Sequence, residues 1–154
     1  MKKQKFEVKR TAEGTAFEIA FIVLAIMTWV YVILMLNKAP EIVPTHFGPS
    51  GSPDAYGSKW NMLFPGILTT VVGFCCLAGA YFPHTVNIPG VKIANVGQAN
   101  LAVRLMRIMA LLMLALTAAI TADTLRGHIL FTLLAVAAIV IVSVVFSILI
   151  YKAR

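Results

Sequence analysis

At 154 residues the chain is one domain in length, yet 60% of it is hydrophobic and only 12% is charged, a balance that excludes an ordinary soluble fold. The net charge of +7 lies in short clusters between long uncharged runs, which argues against a nucleic-acid surface and for topology signals beside membrane segments. Cys75 and Cys76 are adjacent within an apolar run, so neither an ordinary disulfide between them nor a metal framework is expected.

Four apolar stretches, 17–36, 62–82, 101–122 and 129–150, are each roughly 20 residues long, enough for a helix to cross about 30 Å of hydrocarbon. The first comes after a basic arm, MKKQKFEVKR, that is similar to the start of a secretory signal. Its apolar part exceeds the about 7 to 15 residues of a signal core and no small-residue cleavage site succeeds it, so a retained span is expected. Glu18, at its edge, is expected to be a solvated acid of the helix start. In the second stretch Gly66, Gly73 and Gly79 form a ridge for close packing, with Cys75 four residues before Gly79.

The third stretch carries Arg104 and Arg107 in its first two turns, on one helical face from which both are expected to snorkel to the membrane surface. The fourth, ILFTLLAVAAIVIVSVVFSILI, contains sixteen Ile, Leu, Val or Phe residues and no charge, and places Ser143 four before Ser147. Polar groups at membrane depth reduce to Thr69, Thr70, Thr117, Thr121, Ser143 and Ser147, whose hydroxyls can satisfy carbonyls of their own helices. No ionisable residue lies near the middle of a span, so a proton-coupled pump is not expected from one copy, and a homo-oligomeric pathway stays open.

Orientation is set by the lysines and arginines. Lys2, Lys3, Lys5, Lys9, Arg10, Lys92, Arg104, Arg107, Lys152 and Arg154 make ten on one side, against Lys38, Lys59 and Arg126 on the other. The positive-inside rule places both termini in the cytoplasm and the first and third connections outside.

The connection 37–61, NKAPEIVPTHFGPSGSPDAYGSKWN, is expected to be an ordered external cap. Pro40, Pro44, Pro49 and Pro53 restrict its backbone, while Gly48, Gly51 and Gly57 permit turns. Val43, Phe47, Tyr56 and Trp60 suit either packing or the headgroup level.

Within it, PTHF with Gly51, Pro53-Asp54 and Gly57-Ser58-Lys59-Trp60 after it resembles the signature of a bacterial membrane domain of unknown function found at the front of SdpI-like proteins. The stretch PHTVNIPGVKI leading into NLAVRLMR resembles, more loosely, the segment C-terminal to that loop in the same group. The resemblance implies a bacterial plasma (inner) membrane location and a kinship with immunity proteins that protect producing cells from a secreted killing peptide, some of which also hold a transcriptional repressor at the membrane. It makes Pro44, Thr45, His46, Phe47, Gly51, Asp54, Gly57, Lys59 and Trp60 the candidate residues for an external peptide or envelope ligand. The chain departs from the longer SdpI-like pattern in having four spans.

Two chemical readings stand beside this one. His46, Asp54, Asp123 and His128 fall on the same predicted side, and two imidazoles with two carboxylates make a donor set suited to zinc. Alternatively, His46 bonds loop backbone, Asp54 closes an Asx turn after Pro53, and no cofactor is held. Ser50, Ser52 and Ser58 are turn residues, and no nucleophile elbow or phosphate-binding glycine loop occurs. His84 is expected to be a surface histidine.

The expected architecture is therefore an all-α integral membrane protein, one four-transmembrane-helix bundle with an ordered Pro/Gly-rich external loop between helices 1 and 2. Its partners are the bilayer and an external ligand, not nucleic acid. Sensing or protection is expected in place of catalysis, with a metal-dependent membrane enzyme using His46, Asp54, Asp123 and His128 at the external loops, and a structural subunit of a membrane complex or transporter, as alternatives.

Overall fold

The structure, a computed structural model, describes residues 6, 8–88, 91 and 93–153. Lys2, Lys3, Lys5, Lys92 and Arg154 of the orientation count lie outside the described residues. The chain forms helix α1 (Ala12–Lys38), strands β1 (Ile42–Phe47) and β2 (Pro53–Ser58), helix α2 (Leu63–Gly79), helix α3 (Val96–Arg126) and helix α4 (Leu130–Lys152). Short 3-10 turns, Lys59–Met62 and Pro83–Thr85, flank α2. All four helices, α2 together with its leading turn, are long and apolar enough to cross a membrane.

Each helix occupies its expected stretch, but α1 and α3 run further than the apolar count. Their starts are set by caps. Thr11 accepts from the Gly14 amide at 3.1 Å and Asn95 from the Gln98 amide at 2.8 Å, so the polar first turns are helical too. At its far end α3 stops at Gly127, whose φ of 69° is left-handed and whose N–H bonds the Asp123 carbonyl.

The all-α expectation is corrected at the first long connection, which is a β-hairpin. β1 and β2 pair antiparallel from Ile42 opposite Ser58 to Phe47 opposite Pro53, with irregular register around His46. The reversal uses Pro49 inside a turn closed by the Gly51 N–H on the Gly48 carbonyl, and Gly51 itself has φ 78°. In a two-stranded sheet each strand keeps one free edge, which is where Pro44 and Pro53 do no harm. Val43 pins the hairpin to the bundle, buried with Leu36, Ala39 and Met62 and packed on Leu125.

Helix α3 is the hub of the bundle: α1, α2 and α4 each pack along it, whereas α1 and α2 touch each other little. The glycine ridge is the α2 side of that packing. A Cβ at Gly66 would meet Thr117, one at Gly73 would meet the Ala110 carbonyl at 3.2 Å and Phe21 at 3.1 Å, and one at Gly79 would press on Met106. Phe21, Ala110 and Leu114 form the mid-bundle core there.

The intramembrane hydroxyls behave as expected in part. Thr117, Thr121, Ser143 and Ser147 bond carbonyls four residues back. Thr69 and Thr117 also meet hydroxyl to hydroxyl at 2.6 Å, joining α2 to α3, and Trp29 Nε1 donates to Thr70 Oγ1 at 3.1 Å, joining α1 to α2. The outward faces of α4 are left apolar and exposed, as a lipid-facing helix requires.

Overpacking at the ridge is the direct test of this arrangement. Gly73→Leu is expected to cost about 1–3 kcal/mol and lower the thermal midpoint in detergent, whereas Val72→Leu, on the open face, stays within about 0.5 kcal/mol of the parent.

Candidate functional site

The hairpin does not lie flat on the helix ends. Between it and the ends of α2, α3 and α4 is a cleft of about 420 Å³, with Pro44, Thr45 and Phe47 on the hairpin side and Met62, Ile120 and Thr132 among the helix residues opposite. Its walls are largely apolar with a few polar groups, the usual makeup of a small-ligand cleft. Asn61, Asp123 and Thr124 supply polar atoms alongside Thr45.

Three of the nine expected ligand-binding residues, Pro44, Thr45 and Phe47, therefore line this cleft. Gly51 and Gly57 shape the hairpin instead: Gly51 turns it, and a Cβ at Gly57 would collide with Asn61 and Thr45. Lys59 reaches back to Glu41 at 2.8 Å and closes the base of the hairpin, where its own N–H bonds the Glu41 carbonyl. Trp60 and Tyr56 are exposed, the disposition expected of aromatic residues at headgroup level.

His46 and Asp54 pair with each other across the strands, Nδ1 to Oδ1 at 2.5 Å, on the outer surface of the hairpin with side chains 69% and 50% exposed. This corrects the expectation that His46 bonds backbone and Asp54 closes an Asx turn. The strand pairing sets His46 opposite Ala55, next to Asp54, where the register is irregular.

Asp123 is 1% exposed, and its role is different again. Its carboxylate accepts the Phe131 N–H at 3.2 Å and the Thr132 N–H at 2.6 Å, so a residue of α3 caps the first turn of α4. Ile129, at the cap position of α4, offers no side-chain acceptor. His128 Nδ1 stands 3.3 Å from Asp123 Oδ1 without hydrogen-bond alignment. The four residues of the zinc reading thus form two separate pairs, and among the described residues no three His, Cys, Asp or Glu side chains gather to hold a metal ion.

The opposite end of the bundle is held by charge. Arg104 grips Glu13 with two bonds, 2.9 and 3.1 Å, and Arg10 meets Glu18 at 3.1 Å. Tyr81 donates to Glu18 as well, and that bond, with burial, raises the phenol above the usual tyrosine range. Glu18 is accordingly an ion-paired tie between α1 and the end of α2, not a solvated acid. Arg107 does not snorkel: it is 5% exposed and lies against Gly14 in the first turn of α1, because the close approach of α1 covers that face of α3.

Beneath this layer Asn95 Nδ2 donates to the Ala153 carbonyl at 2.8 Å and Gln98 Nε2 to the Ile150 carbonyl at 3.0 Å. The start of α3 therefore clasps the end of α4. The connection before α3 folds under the bundle, with Ile88 packed on Ala102 and Ile150. His84 in that connection is half-buried with its Nδ1 inside, not a surface histidine, since the chain turns back against Phe82.

Four apolar helices, three of them packed along a central one, are the architecture of a multi-pass membrane protein. Residues 23–70, from the body of α1 through the hairpin into α2, match a domain of unknown function, DUF1648. An uncharacterized protein of Archaeoglobus fulgidus is 30% identical over 80 residues, a match covering 47% of this chain and 43% of that protein. The aligned stretch is thus less than half of that relative's length. No solved structure matches the chain.

The two carboxylates of the hairpin end separate in stability. Asp123→Ala is expected to destabilise by about 1–3 kcal/mol, since it leaves two part-buried amides of the first turn of α4 without their partner, and Asp54→Ala by about 0–1 kcal/mol, since its pair is solvated. Reversible unfolding in mixed micelles ranks the two.

Proposed function

We propose that this is a receptor-like integral membrane protein of SdpI-like type in the bacterial plasma membrane, whose hairpin end faces outward and takes up a peptide or envelope component for immunity, sensing or protection. The observation that carries this reading is the cleft between hairpin and helix ends, about 420 Å³ in volume, walled by Phe47, Pro44 and Ile120 with Thr45 at its edge. An extended peptide suits it in two ways. Apolar side chains would enter the cleft, and the free edges of the two-stranded hairpin offer unpaired backbone groups.

The orientation, with both termini inside, is supported by charge. The described cations Lys9, Arg10, Arg104, Arg107 and Lys152 belong to the segments gathered where α1 and α3 begin and α4 ends, whereas the hairpin end carries Lys38, Lys59 and Arg126. The exposed His46–Asp54 pair, on the same hairpin but outside the cleft lining, adds a polar group that a ligand from outside could meet.

The test combines access with protection. In a Cys75→Ala, Cys76→Ala background, Thr45→Cys is expected to react with a membrane-impermeant maleimide on intact cells. Thr132→Trp, which fills the cleft and leaves the α4 backbone bonds in place, is expected to abolish protection against at least one member of a panel of membrane-active peptides. Labelling of Thr45→Cys only after cell lysis, or equal sensitivity of cells with and without the gene across the panel, would overturn the reading.

A further inference from the structure

At the end opposite the hairpin is a second and larger cleft, about 600 Å³, lying between the N-terminal arm and the first turns of α1 and α3. Its walls join two chemistries. Val96, Ala99 and Val103 of α3 and Phe6 and Val8 of the arm are apolar, while Lys9, Arg104 and Arg107 are cationic. Among the described lining residues three cations face one carboxylate, Glu13. Thr11, the cap of α1, and Val96, the first residue of α3, are also among its lining residues, so the positive ends of both helices lie near it.

The decisive residue is Arg107. It is 5% exposed and lines the cleft, yet no described residue hydrogen-bonds or ion-pairs with its guanidinium. The neighbouring carboxylates are already engaged: Glu13 by the two bonds from Arg104, and Glu18 by Arg10 and Tyr81. Both act on Arg107 only through space. The guanidinium lies close against Gly14, where a Cβ would overlap its Nη2. A guanidinium that borders a cleft with no bonded counter-charge is a ready partner for an anion, since charge-assisted bonds to a phosphate are among the strong ones.

We infer that this cleft binds the phosphate headgroup of an anionic phospholipid, with Arg107 and Lys9 on the phosphate and the Val96–Val103 face of α3 beside the glycerol and upper acyl chain. A membrane lipid is favoured over a soluble phosphate because apolar wall and cationic floor occur together, at the depth where the helices begin and headgroups lie. The site is at the opposite end from the proposed ligand cleft and does not depend on that reading.

Native mass spectrometry of the full chain from a mild detergent reads the site directly, using phosphatidylglycerol, phosphatidylcholine and inorganic phosphate as separate probes. One phosphatidylglycerol per chain is expected to bind about tenfold more tightly than phosphatidylcholine, a difference of about 1.4 kcal/mol. Arg107→Gln is expected to remove that preference, Arg107→Lys to restore part of it, and Arg126→Gln, at the other end, to leave it unchanged. Equal binding of the two lipids, or a preference that survives Arg107→Gln, overturns the inference. Inorganic phosphate displacing the lipid at equal concentration also overturns it, in favour of a soluble-anion site. Should Arg107→Gln fail to fold, Gly14→Ala carries the comparison, since its methyl group displaces the guanidinium, and an unchanged lipid preference in that variant counts against the site.

Discussion

A helix in lipid satisfies its own middle but not its ends, and where those ends are buried in protein the orphan amides and carbonyls need partners from elsewhere. In this chain α4 has no side-chain cap of its own, and both of its ends are finished by α3. Asp123 takes two amides of its first turn, and Gln98 and Asn95 donate to the Ile150 and Ala153 carbonyls near its last turn. The rest of the structure depends on that double clasp. It ties α3 to α4 at both ends of the span, and α1 and α2 pack along the same helix.

The two ends of α3 lead to the two surfaces that carry chemistry. At one, the Gly127 turn brings α4 up beside Asp123, so the hairpin, anchored through Val43, comes to rest over a cleft floored by Ile120, Thr124 and Thr132. At the other, Arg104 and Arg107 sit on the face that α1 covers, and Glu13, Glu18 and Tyr81 lock α1 and the end of α2 to that layer. One cation of this layer, Arg104, is taken up in closing the bundle. Its neighbour Arg107 borders a cavity without a bonded partner among the described residues, and that difference is the ground for the lipid site inferred there.

The spans were legible in the sequence because lipid demands long uncharged runs, and hydropathy reports those directly. Their ends were less so, since Thr11 and Asn95 are polar residues outside the apolar count, although Asn95 with Gln98 three residues later is the spacing of a capping box and could have been read as a helix start. The hairpin was concealed by Pro44 and Pro53, which speak against strands except at the free edges this sheet provides. Asp123 was legible as a chemical group but not as a cap, because its partners are amides, which carry no side-chain signature. The available signal was indirect: a three-residue connection into a helix with no acceptor at Ile129 implies a donor-hungry first turn, and Asp123 is the nearest acid. Arg107 read as a snorkelling cation because helical spacing shows which face a residue occupies and says nothing of whether another helix covers that face.

Amide hydrogen exchange of the protein in lipid nanodiscs tests the double clasp most directly. The Phe131 and Thr132 amides, at the very start of a helix where exchange is ordinarily fast, should be protected to the level of mid-bundle amides such as Leu114. If they instead exchange at the rate of the turn amide of Ser50, α4 is not held by Asp123, and the organisation of the bundle around α3 would be wrong.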